Sequence, residues 1–290
     1  MKKSIPYLSI LLFALLAAAA DAATYPIATL PDWPESSWDS GGSITHRISV
    51  HHGEDSISLD LRVAILGTES AQDQTLYWIE FDFTDMSGLP QDAQTFFYQN
   101  YGELPSAIRF KALIPYYDFT LALSDPSRVY HDFTDPGFIR ALVFQYNRQV
   151  PLDVDPALIG GFILPLVASE VMGDVPDDFV SERNLGVHVI EDPAAFTTEL
   201  SQSEVTVEAG TFRGSLFSFT SNDSGGAAGT VFFTSANPVL PFVACLLNWS
   251  SGVGPGDAQC ELVAVRQSGA TSQIVGNPAR FDLQTLMYGN

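Results

Sequence analysis

Residues Val205–Ser235 read VTVEAGTFRGSLFSFTSNDSGGAAGTVFFTS. Two runs rich in Phe, Val and Thr flank a loop of Asn, Asp, Ser, Gly and Ala, the composition of two antiparallel strands joined by a turn. Alternation puts Phe217 and Phe219 on one side of the first run and Phe212 and Leu216 on the other. Both sides therefore call for cover, as in an interior strand of a curved sheet. No helix-forming run follows the Gly-rich loop, so it lacks the context of a phosphate-binding turn.

The same texture extends upstream. In Ser56–Leu66, SISLDLRVAIL, residues Ile57, Leu59, Leu61, Val63 and Ile65 share one face, while Ser58, Asp60 and Arg62 share the other. This is a half-buried strand, and it pairs naturally with ITHRISVH across the HGED turn. TLYWIEFDF, AIRFKALIPYYDFTLAL, FIRALVFQYN and LGVHVIED repeat the pattern, and SQIV near the end is a shorter candidate. Short runs separated by turn residues predict a mainly β protein: a single curved antiparallel sheet, or half-open β-barrel, with one short helix or apolar segment packed in its concave face. That segment is expected in Asp155–Met172, DPALIGGFILPLVASEVM. Asp155 suits an N-cap, Pro156 suits a first helical turn, and the run that follows is apolar nearly all round. An outer-membrane barrel shares the alternation, but the ending LMYGN and the proline-bearing loops LPSA and VLPF favour an open sheet.

The first residues are MKKSIPYLSILLFALLAAAADAATYP. A basic start, an apolar run and small residues at Ala20-Asp21-Ala22 predict a secretory signal peptide over 1–22, cut between Ala22 and Ala23. The apolar run falls short of the ~20 residues of a spanning helix. A flexible segment is expected over 23–43 and one β-rich domain over 44–290, placed in the periplasm or outside the cell. Removing the leader leaves a net charge of about −22 and a single lysine, Lys111. A polyanion of this strength excludes general binding to nucleic acid or to anionic lipid headgroups.

Cys245 and Cys260 are the chain's two cysteines, in FVACLLNWSSGVGPGDAQCELVAV. A turn at SSGVGP sets them opposite one another on two antiparallel strands, where Cβ atoms come close enough to bond. An even count in an oxidising compartment predicts a disulfide. Motifs for chemistry are otherwise weak. There is no G-x-S-x-G elbow and no Ser-x-x-Lys pair. His46, His51 and His52 cluster, yet a strand offers two of them on one face, short of a zinc set. The acidic loops around Asp125–Asp135, Asp153–Asp155 and Asp174–Asp178 lack the spacing of a calcium loop, and solvated turns account for them. No metal, no cofactor and no catalytic residue is expected.

Three successive pieces, VTVEAGTFRGSLFSFTS, GTVFFTSANPVLPFVAC and CELVAVRQSGATSQI, resemble in order and content a group of uncharacterised secreted bacterial proteins. LYWIEFDF and AIRFKALIP resemble that group's earlier strands. The group is similar in fold to the periplasmic lipoprotein carriers, whose half-open barrel wraps a helix and shelters acyl chains. The resemblance implies architecture before activity. The surplus of aromatic residues and the apolar segment Ile159–Val167 point to a secreted, non-enzymatic protein that binds a lipid or other apolar molecule in a dry pocket. The lining residues expected from the strands are Phe110, Leu113 and Phe144, and from the apolar segment Ile159, Phe162 and Ile163. Two alternatives stand beside it: an envelope structural or interaction protein with a packed core, and a hydrolase with a carboxylate pair in a cleft.

Overall fold

Alternating apolar residues form strands because each strand buries one face against a common core. The computed structural model describes residues 38–281 except 39, 53–54, 72–73, 90, 118–134, 136, 157–195, 223–227 and 252–253. The predicted leader, the segment 157–172 and the strand expected at 185–192 lie outside the described residues. The strands are β1 (Ser43–His52), β2 (Asp55–Ala71), β3 (Gln74–Ser87), β4 (Ala107–Pro115), β5 (Ala141–Tyr146) and β6 (Leu152–Val154). They continue with β7 (Phe196–Val207), β8 (Gly210–Ser221), β9 (Ala228–Phe233), β10 (Phe242–Ser251), β11 (Gly254–Arg266) and β12 (Ala279–Arg280). Among the described residues one helix, α1 (Gln91–Tyr101), links β3 to β4.

All twelve described strands belong to one open curved sheet in the order β12-β6-β5-β4-β3-β2-β1-β11-β10-β9-β8-β7. The single curved sheet expected from the sequence is therefore the architecture, and it does not close into a barrel. One expectation needs correction. The sheet is not wholly antiparallel, because β12 pairs with β6 in parallel through Ala279↔Leu152 and Arg280↔Asp153. SQIV is not a strand either: residues 271–275 cross the sheet as a strap on the way to β12.

Cross-strand partners point to the same side, so the register traces each face. On the inner face one row runs Val265–Ile44–Val63–Phe81–Phe110–Phe144–Leu152 across seven strands. All seven belong to the main hydrophobic cluster or pack against it. Helix α1 covers this face. Phe97 and Tyr101 lie four residues apart on one side of it, and both stack on Tyr146, with ring centroids 5.9 and 4.1 Å away. Gly102, at φ +77°, ends the helix by donating its N–H to the Tyr98 carbonyl at 3.1 Å. Burying a side chain such as Phe97, which is 1% exposed, contributes about 1.5–3 kcal/mol.

Candidate functional site

The inner face does not end with the main core. A second row runs Leu59–Ile48–Cys260–Cys245–Val231–Phe217, directly opposed from β2 to β8. It leads into a separate cluster of Phe217, Phe219, Val231, Phe233 and Leu247, with Phe242, Cys245 and Ala258 packed against it. All of these come from β8, β9, β10 and β11. Gly229 makes room for the Phe219 ring here. It faces Phe219 across the ladder, and a Cβ on it would meet the Phe219 ring at 2.8 Å and the Leu246 carbonyl oxygen at 2.6 Å. The missing side chain is the space the ring occupies.

The other side of β8 is apolar as well, as its alternation predicts. Phe212 and Leu216 pack against the main cluster. They reach it because the β7–β8 hairpin runs on past β9 and meets β11. There Ala209 donates its N–H to the Leu262 carbonyl at 3.2 Å, and Glu208 pairs with Arg47 at 3.0 Å.

Of the lining residues expected from the sequence, Phe110 and Phe144 are brought together as cross-strand partners, ring centroids 5.2 Å apart. Phe83 closes on Phe110 from β3, so this part of the interior is filled by the protein's own rings. Leu113 does not join them. It sits three residues beyond Phe110 in β4, opposite Trp78 and Ala141, and strand alternation turns it to the outer face. Ile159, Phe162 and Ile163 lie outside the described residues, as do Ala22 and Ala23 at the expected cleavage point. Phe217, Phe219, Val231 and Leu247 were not singled out as lining residues. Their alternation was visible, but nothing local marks which of two apolar sides faces the interior.

Cys245 and Cys260 are direct partners in the β10–β11 ladder, as the hairpin spacing predicts. The structure carries them as two partly buried thiols. A hydrogen bond with Cys245, together with burial, pushes the Cys260 thiol well above its ordinary range.

His46 shares the inner face with Leu61 and Leu262 and is 3% exposed. Its Nε2 donates to the Phe242 carbonyl oxygen at 3.1 Å, an acceptor it shares with the Asn237 amide at 2.7 Å. Burial lowers its pKa to about 4. His51 instead pairs with Asp257 at 2.9 Å. Among the described residues, no three His, Cys, Asp or Glu side chains are grouped so as to hold a metal ion.

The outer face of the same strands is charged and covered. Its row runs Arg62–Asp82–Arg109–Gln145, with Glu80 opposite Lys111 one step along. Glu80 is fully buried at 0% exposure. It accepts from Arg62 Nη1 at 3.1 Å, from the Gln273 backbone N–H at 2.8 Å and from the Ser272 hydroxyl. Arg62 also donates to the Thr271 carbonyl at 3.0 Å. Gln145 makes a two-way amide pairing with Val275, at 2.9 and 3.1 Å. The strap 271–275 is thus sewn to the sheet by side chains, which compensates for carrying charge out of water. Burial raises the Asp82 carboxyl while Arg109, 3.0 Å away, pulls it back down. A hollow of about 380 Å³ beside Gln202, Glu204 and Arg213 is polar, with Arg213 paired to Glu204 at 2.8 Å. It has the wrong lining for an acyl chain.

No family model and no curated protein matches the chain. Solved structures with similarity to it include a protein assigned as a lipoprotein from Parabacteroides distasonis, at 10% identity and a TM-score of 0.30, covering 81% of this chain and 100% of that one. A second, assigned as an exported protein with a YmcC-like fold from Bacteroides fragilis, shows 10% identity and a TM-score of 0.29 over 80% of this chain and 98% of that one. A third, assigned as an outer-membrane lipoprotein-sorting domain from Vibrio parahaemolyticus, shows 9% identity and a TM-score of 0.23 over 80% of this chain and 87% of that one. A likeness this slight transfers neither a family nor a function.

Proposed function

We propose that the protein is an exported, non-enzymatic binder of an apolar ligand, with an acyl chain held against the inner face at β8–β10. The observation that carries this reading is the apolar row from Leu59 to Phe217, which continues the inner face past the main core into a second cluster. A sheet that served one packed core would be free to turn polar beyond it. Phe217, Phe219, Val231 and Leu247 form the wall in this reading. Export to the periplasm or beyond the cell is part of the proposal, supported by the leader-like composition of residues 1–22.

The test is lipid extraction from protein purified without detergent, followed by mass spectrometry, together with titration of a fluorescent fatty acid. Co-purifying acyl species are expected, with Phe217→Asp weakening fatty-acid binding at least tenfold while the β-sheet signal in circular dichroism persists. Protein that carries no acyl species and binds no added fatty acid overturns the reading. A second reading, an envelope interaction protein with a packed core, is favoured by the Phe83–Phe110–Phe144 filling of the β3–β5 interior. Lipid-free protein that cross-links in cells to one stable partner would establish it.

A further inference from the structure

Three observations meet at the middle of the second row. Cys245 and Cys260 are the chain's two cysteines, and they are directly opposed in the β10–β11 ladder. Directly opposed residues of an antiparallel pair have Cα atoms about 4.5–5.5 Å apart, inside the 4.4–6.8 Å span of a disulfide. Their neighbours along the row are Ile48 on β1 and Val231 on β9, side chains that offer neither a hydrogen bond nor a metal bond. Two thiols on an apolar face, turned to one another, are the reduced form of a bond rather than half of a metal site.

We propose that this pair is an oxidative modification site, closing as a cross-strand disulfide on the inner face of the sheet. Two S–H bonds break and one S–S bond forms. The two electrons and, by way of solvent, the two protons pass to a partner disulfide of the thiol-exchange class, which leaves as a dithiol. The exchange runs through a mixed disulfide at one cysteine, and the opposed sulfur then displaces the partner. The product ties β10 to β11 at the point where the main core gives way to the second cluster, so the bond stiffens that wall whether or not a ligand is held there.

The full chain, purified without reductant and equilibrated with oxidised glutathione, tests it by intact mass and by alkylation. The expected product is a monomer two hydrogens lighter, with no glutathione attached, that takes up iodoacetamide at two positions only after reduction. Cys245→Ala, treated in the same way, is expected to hold one glutathione on Cys260. Wild-type protein that keeps a glutathione on each cysteine, that alkylates at both without reduction, or that links into covalent dimers overturns the proposal.

Discussion

At the residue scale, His46 places an imidazole where its neighbours on the row are leucines, and this sets a pH dependence. The folded protein keeps the ring neutral down to about pH 4, whereas the unfolded chain takes up a proton near 6.5. The unfolded state therefore binds more protons in between, so stability is fully present above about 6.5 and is lost as pH falls towards 4. The loss amounts to about 3 kcal/mol. Urea unfolding at a series of pH values should show a flatter profile for His46→Leu than for wild type across this window, and parallel profiles would remove His46 from the account. Glu80 predicts a different change. Glu80→Gln puts an amide N–H2 among three donors and should cost about 2–4 kcal/mol in chemical denaturation, with faster proteolysis at the strap 271–275. Neither role is visible in the sequence. His46 and Glu80 look like ordinary strand residues, and their partners Phe242, Ser272 and Gln273 stand more than 190 residues away.

At the element scale, the strands with strict alternation were legible because one face of each meets a core and the other meets polar cover. β1 to β3, β5 and β9 to β11 fall where the sequence puts them, while β4 ends at Pro115, and the run Val205–Ser221 is divided by a turn at Glu208-Ala209 into the end of β7 and all of β8. β7 was not read over most of its length: FTTELSQSEVTV carries few large apolar residues, and it is held by its ladder to β8 rather than by burial. Helix α1 was missed for a related reason. QDAQTFFYQNY is mostly polar, and its helical face amounts to Phe97 and Tyr101 with Ala93, a signal that acquires meaning only once Tyr146 stands opposite. The strap fails as a strand because its backbone partners are side chains, which periodicity cannot reveal. β8 carries the sharpest element-level prediction. A Cβ on Gly214 would stand 2.1 Å from the Phe233 carbonyl oxygen, which is main chain and cannot swing aside. Gly214→Ala should therefore push β8 away from the end of β9 and lower stability by about 3 kcal/mol in urea unfolding. A melting curve that matches wild type would mean that the two strands tolerate separation there.

At the scale of the whole molecule, the sequence shows a curved sheet but not its strand order. Hairpins are local, and their pairing follows from turn chemistry, whereas β1 has to choose a second neighbour from the far end of the chain. That neighbour is β11, matched from Ser43↔Arg266 to His52↔Gly256 with one irregularity at Thr45/His46. On one side of this seam lie β2 to β6, and on the other lie β10 to β7, each built as a run of sequential pairings. The two runs close their loops early at small entropic cost, while the seam waits for residues some two hundred positions apart to meet. Pulsed hydrogen exchange during refolding should then protect amides of β3–β4 and β8–β9 before those shared by β1 and β11. Simultaneous protection would mean that the sheet condenses as one unit. Until the 256–266 segment has emerged, the growing chain lacks the strand that joins its two parts, so the complete sheet cannot assemble during synthesis.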